Sequence, residues 1–132
     1  MWDKRSKGPM KPVKISEAEW EVMTILWKRA PVSCRDVVEE VAERKGWHNR
    51  TIRTLLDRLI AKGAVTIQTK RRPYTYESLV SREECVQSES RSFMDRVFEG
   101  EPASMLLHLV KHNKLKPEDI RELKKILNEK GE

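Results

Sequence analysis

The side chains that could do chemistry in this chain are cationic and lie close together. Arg50, Thr51, Arg53, Thr54, Asp57 and Arg58 are interleaved with Ile52, Leu55, Leu56, Leu59 and Ile60. The apolar set recurs at i, i+3, i+4, i+7 and i+8, which is one face of an α-helix. The remaining residues therefore fall on the opposite face or its flanks. An arginine fork matches guanine O6 and N7, and a threonine can meet a thymine methyl or a phosphate. Asp57 can accept from a cytosine amine, but a pairing with Arg53 or Arg58 is the simpler expectation. Shortly after comes Lys70-Arg71-Arg72, three cations suited to phosphate or a minor groove. By itself such a helix reads equally well as a solvated basic face. Its coupling to the second basic cluster tips the reading toward duplex DNA.

Catalysis finds no comparable support. The chain has no G-x-S-x-G, no H-E-x-x-H and no phosphate-binding glycine loop, and it has only five glycines. The neighbouring acids Glu39/Glu40 and Glu83/Glu84 fall on solvated helix faces. His108 stands in an apolar helix without an acid or cysteine beside it, and is expected to pack at an interface. Cys34 and Cys85 are far apart, and with His48, His108 and His112 they make no zinc pattern of paired Cys or Cys/His. They are expected to be reduced, partly buried small side chains. No cofactor, no metal and no enzymatic activity are expected.

The elements that must position the basic helix can be read on either side of it. Ser16-Glu-Ala-Glu19 is a capping box, and it opens a helix with Trp20, Met23, Leu26 and Trp27 on one face. Pro31 closes it. Ser33-Cys-Arg-Asp36 caps a shorter helix carrying Val37, Val38, Val41 and Ala42, closed near Gly46. Ala30–Ser33 is then a tight link. The basic helix follows, capped by His48 or Asn49 and stopped at Lys62-Gly63. Ala64–Lys70 and Tyr74–Val80 alternate and are rich in β-branched and aromatic residues, so with Arg71-Arg72-Pro73 between them they form a hairpin. Trp20, Trp27 and Trp47 are expected in the core or at a helix junction rather than stacked on bases. Tyr74 and Tyr76 are expected to pack the hairpin.

Ser81-Arg-Glu-Glu84 is a third capping box. It starts a long helix with Val86, Phe93, Met94, Val97 and Phe98, broken at Gly100. Ala103 to Val110 is apolar on most sides, and Pro117 opens a last helix with Ile120, Leu123, Ile126 and Leu127. So few residues cannot cover the helix around Met105–Val110, so a second copy of the chain is expected against it. The expected dimer contacts are Val86, Phe93, Val97, Met105, Leu106, Leu109, Val110, Ile120, Leu123 and Leu127. The alternative is a bundle closed within one chain.

The 132 residues, 38% hydrophobic and 36% charged, suit a small domain with an appendage. The net charge of +6 is unevenly placed. Arg44–Arg72 holds nine Lys/Arg against Asp57 alone, a balance of +8. Ser16–Glu43 has three bases and seven acids, and Ser81–Glu132 ten bases and eleven acids. A basic middle between acidic or balanced flanks indicates a polyanion-binding face. The longest apolar stretch is Met105–Leu107, far short of the ~20 residues a spanning helix needs. Met1–Lys14 lacks the apolar run of a secretory signal, so a cytoplasmic location is expected.

Taken together, the fold class is mainly α with a small β-hairpin. Residues 1–14 form a flexible basic arm, 15–80 a winged helix-turn-helix DNA-binding domain, and 81–132 a helical dimerisation module. The leading reading is a homodimeric, sequence-specific DNA-binding protein that presents two recognition helices to two half-sites. A non-specific architectural DNA-binding protein would use the same basic surface. A winged helix that binds an acidic protein is a third reading.

The run Ile15-Ser-Glu-Ala-Glu-Trp-Glu-Val-Met23, then Trp27, Thr51-Ile-Arg-Thr-Leu-Leu56, Arg58-Leu59, Lys62-Gly63, Tyr76 and Ser78-Leu79-Val80 resembles the penicillinase-repressor family. These are β-lactamase and methicillin-resistance regulators and their copper-responsive relatives, and the likeness runs from about Ile15 to Glu129. It implies a homodimeric winged-helix transcriptional repressor of resistance or stress genes, acting on a palindromic operator. It places the recognition helix at Asn49–Ala61, with Arg50, Thr51, Arg53 and Thr54 at DNA contacts, and the wing at Val65–Leu79. The dimer helices fall at Ser81–Phe98, Ala103–His112 and Pro117–Leu127. It also implies a membrane sensor-transducer metalloprotease as a further partner. Antibiotic-responsive members are cut at an Asn–Phe bond, and the aligned bond here is His108–Leu109. Copper-responsive members carry a C-terminal cysteine cluster that Asn128–Glu132 lacks.

Overall fold

The computed structural model describes residues 13–69 and 71–131. Most of the basic arm, residues 1–12, and Lys70 lie outside the described residues. The chain divides into two compact units, one ending at Ser90 and the other spanning Arg91–Glu132.

The first unit begins with α1, Glu17–Arg29. The expected capping box forms: Glu19 N–H donates to Ser16 Oγ at 3.1 Å and Ser16 N–H to Glu19 Oε1 at 2.9 Å. The chain then makes a strand that the sequence does not announce. β1, Val32–Ser33, lies where a plain link was expected, and pairs antiparallel with β3, Thr75–Ser78. The hairpin is therefore part of a three-stranded sheet ordered β1-β3-β2, with β2 at Val65–Ile67. Two residues are too few to show a strand's period of two, so only the pairing reveals β1.

Ser33 ends β1 and also caps α2, Cys34–Lys45, by accepting from Asp36 N–H at 3.1 Å. Gly46, at φ +71°, closes α2 in the left-handed region, where glycine carries no Cβ penalty. α3, Asn49–Ala61, follows. Of its two expected caps, His48 serves: its Nδ1 accepts from Arg50 N–H at 3.0 Å.

Ile52, Leu55, Leu56 and Leu59 are buried, in one core with Val22, Met23, Ile25 and Leu26 of α1 and Val37, Val38 and Val41 of α2. Each such side chain contributes roughly 1.5–3 kcal/mol on burial. That outweighs the few tenths of a kcal/mol by which helix propensities differ, so packing fixes how α3 is rotated. Trp20, Trp27 and Trp47 pack against this core as expected. Trp20 and Trp27 meet edge to face at 5.3 Å, and the Trp27 indole N–H donates to Val80 O at 3.0 Å. The first turns of α4, Arg82–Val97, add Cys85, whose thiol burial and nearby Glu84 push up. Cys34 and Cys85 are both free thiols.

The second unit holds the end of α4, then α5, Pro102–His112, and α6, Pro117–Lys130. Neither α5 nor α6 has a buried residue. Leu107 is 58% exposed, Leu127 51%, and Val97, Leu109, Val110, Ile120 and Ile126 are also exposed. No described helix is long and apolar enough to cross a membrane.

Candidate nucleic-acid interface

Packing Ile52, Leu55, Leu56 and Leu59 inward turns Arg50, Thr51, Arg53, Thr54, Asp57 and Arg58 outward, and all six are exposed. The expected pairing of Asp57 with Arg53 or Arg58 is not formed: none of the ion pairs among the described residues includes any of the three. One turn of an exposed helix lets both partners stay hydrated, and surface pairs gain only ~0–1 kcal/mol. Thr54 has a more restricted role than its type suggests. Its hydroxyl donates to Arg50 O at 2.9 Å, so towards a ligand it offers lone pairs and a methyl group rather than a donor.

The balance of +8 overstates the charge that faces solvent alone. Arg44 and Lys45 both reach Glu21, at 3.2 and 3.6 Å, and the Lys62 ammonium is paired with the Glu19 carboxylate. These three cations brace the helices. Arg50, Arg53, Arg58, Arg71 and Arg72 have no acid within ion-pair distance among the described residues. Sequence distance hid this sorting, since Arg44 and Glu21 are 23 residues apart and Lys62 and Glu19 are 43 apart.

Glu19 is only 1% exposed. Burial raises its pKa, but hydrogen bonds from Lys62 and Ser16 and the ammonium's charge outweigh that and hold the carboxyl below its ordinary value. Lys62 also donates to Lys14 O at 2.8 Å. Lys62 therefore fastens the C-terminal end of α3 to α1 and to the segment entering it.

The wing is shorter in regular strand than expected. β2 and β3 pair from Val65↔Ser78 to Ile67↔Tyr76, and Gln68 N–H donates to Thr75 O at 2.7 Å. Thr69 then organises the tip. Its hydroxyl accepts from Thr75 N–H at 3.1 Å and lies 3.3 and 3.4 Å from the carbonyls of Arg71 and Pro73. Arg71 and Arg72 are exposed, and the Arg72 guanidinium lies 5.9 Å from the centre of the Tyr74 ring. Tyr76 is buried where β3 meets both neighbouring strands. Burial above all, with the nearby Asp57 carboxylate adding to it, pushes its phenol up against the opposing effect of Arg53. An open groove of about 570 Å³ lies between the tip of the wing and the start of α2, lined by Ser33, Cys34, Arg35, Arg72, Pro73, Tyr74 and Tyr76. It sets Arg35 and the N-terminus of α2 beside the wing. Arg35 does not stand out in the sequence, because only the pairing of β1 with β3 brings it there; unlike the arginines of α3 it is ion-paired, its Nε donating to Glu39 Oε1 at 3.1 Å.

A helical layer with an outward arginine face and an adjoining basic wing is a DNA-binding shape. The family model described as penicillinase repressor matches residues 15–129. This chain belongs to that family. It is 37% identical over 120 residues to the methicillin resistance regulatory protein MecI of Staphylococcus aureus, covering 91% of this chain and 98% of the relative. To the penicillinase repressor of Bacillus licheniformis it is 34% identical over 116 residues, covering 88% and 91%. The solution structure of the DNA-binding domain of the repressor BlaI superposes with a TM-score of 0.51 at 34% identity, over 56% of this chain and 90% of that one. A solution structure of B. licheniformis BlaI in monomeric form, bound to the blaP half-operator, gives a TM-score of 0.50 over the same shares. The penicillinase repressor family is one of DNA-binding winged-helix regulators of antibiotic resistance, not of enzymes.

Proposed function

We propose that this penicillinase repressor family member is a homodimeric, sequence-specific repressor that sits on a palindromic operator of a resistance or stress-response operon. The observation that carries the reading is the outward face of α3. Its arginines are unpaired among the described residues and stand beside a basic wing, in a chain alike to a repressor solved on its half-operator. Arg50, Thr51, Arg53 and Thr54 read base edges in the major groove, with Asp57 and Arg58 at the flank. Lys70, Arg71 and Arg72 neutralise phosphates. Arg35 and the N-terminus of α2 contribute to the same backbone contact, as helix N-termini do.

The dimer is formed by the helices from α4 onward. Val86, Phe93, Val97, Met105, Leu106, Leu109, Val110, Ile120, Leu123 and Leu127 are its contacts, and the apolar exposure of α5 and α6 supports this. A two-fold pair presents its recognition helices to half-sites about 34–36 Å apart. The protein works in the cytoplasm, where its operator is. Were a membrane sensor-transducer metalloprotease to relieve repression as in the antibiotic-responsive relatives, the bond to be cut is His108–Leu109, and a protease that accepts it must differ in preference from one that cuts Asn–Phe. That bond lies within α5, so the helix must open locally before it is cut.

Selection of bound sequences from a random duplex library tests the reading. The expected product is a palindrome bound ~10³-fold or more above bulk DNA. Equal affinity for all duplexes would instead make the protein architectural, and no DNA binding would leave the wing as a protein-binding surface.

A further inference from the structure

Two of the three histidines stand one helical turn apart at the end of α5. His108 and His112 are both exposed, and their ring centres are 4.4 Å apart with the planes tilted by 37°. The Phe98 ring centre lies 5.8 Å from that of His108, and Phe98 in turn meets Phe93 at 6.0 Å. Imidazoles at i and i+4 share a helix face and can chelate one metal ion. A tetrahedral ion with metal–nitrogen bonds of about 2.0–2.1 Å holds two nitrogens roughly 3.3 Å apart. Rings already this close reach that span by small side-chain rotations. His112 is the last residue of α5, where unsatisfied carbonyls make the helix end partially negative and favour a cation. No group of three or more metal-ligating side chains occurs among the described residues, so water or a second copy fills the other coordination positions.

We propose that His108 and His112 form a two-imidazole site for a borderline divalent cation of the zinc class. Nitrogen ligands select such ions over calcium or magnesium. Bridging one turn fastens the last part of α5. The Phe98 ring lies against His108 alone of the two histidines.

The test is a titration of the full chain with Zn²⁺ alone, following the ring protons of all three histidines by NMR. His48 serves as an internal control, because it has no second imidazole one helical turn away and its Nδ1 already accepts from Arg50 N–H. The expected result is that His108 and His112 shift together at one equivalent while His48 stays fixed. His108→Asn and His112→Asn should each weaken binding by at least the ~10–100-fold seen when a mere supporting group of a metal site is lost. Circular dichroism checks that these exposed substitutions leave the fold intact. No shift at either ring, or undiminished binding in either variant, overturns the site.

Discussion

Lys62 and Glu19 join the end of α3 to the start of α1. The carboxylate is buried, and it receives both the Lys62 ammonium and the Ser16 amide. Removing the carboxylate takes away the partner of Lys62 and leaves the part-buried Ser16 amide without its acceptor, a loss of about 1–3 kcal/mol. Glu19→Ala should lower stability to denaturant by that amount at neutral pH. The pH dependence follows from the direction of the shift. A carboxyl held below its ordinary 4.5 in the folded chain stabilises fully above that value and loses the contribution as pH falls through the folded pKa. The wild type should therefore lose stability in acid more steeply than Glu19→Gln. Parallel acid profiles for the two would show that the pair contributes nothing.

Leu59 tests the other half of the same helix. It is fully buried on the inward face of α3. Leu59→Ala should cost about 2–5 kcal/mol of stability through lost burial and a residual cavity. Thermal unfolding reads this directly. The same variant should bind DNA normally wherever it remains folded, since Leu59 makes no outward contact.

Much of this architecture was legible because its signals are local. The spacing from Ile52 to Ile60 set the bounds and rotation of α3, and Ser16, Ser33 and Ser81 marked three helix starts through bonds spanning three residues. What stayed hidden depends on contacts between distant residues. β1 exists only because Val32 and Ser33 meet Tyr76 and Thr75. The sorting of cations into braced and outward sets depends on Glu19 and Glu21 facing α3 and α2. Arg35 joins the wing for the same reason. Asp57 stayed apart from Arg53 and Arg58 because an exposed ion pair gains too little to hold two side chains together.

Arg53 separates reading of sequence from general attraction. A guanidinium that meets a guanine edge discriminates among bases, so Arg53→Ala should weaken the cognate site by about 1–3 kcal/mol and relax preference at one base position. Binding to unrelated duplex should fall much less. Stability should be unchanged, because the side chain is exposed and outside every ion pair among the described residues. Unaltered affinity and preference together would remove α3 from the groove.

Arg71 and Arg72 should behave in the opposite way. A phosphate contact releases counterions whatever the base sequence. Arg71→Ala or Arg72→Ala should weaken all duplexes alike, and each should lower the salt slope of log K by about 1. Titrations at several salt concentrations give that slope. A loss confined to one sequence would mean that the wing reads bases.

The dimer reading makes a prediction that separates assembly from recognition. Leu109 and Val110 are exposed on α5, and a charge there cannot be buried against a second copy without a large desolvation cost. Leu109→Asp with Val110→Asp should therefore sediment as a monomer. Its affinity for a single half-site should be that of the wild type, because the first unit is untouched. Its affinity for the full palindrome should fall by roughly 10²–10⁴-fold, the advantage that linking two binding events supplies. If half-site and full-site affinities fell together, the substitutions would be acting on the fold. If neither fell and the protein still sedimented as a dimer, the contact between copies would lie elsewhere on the chain.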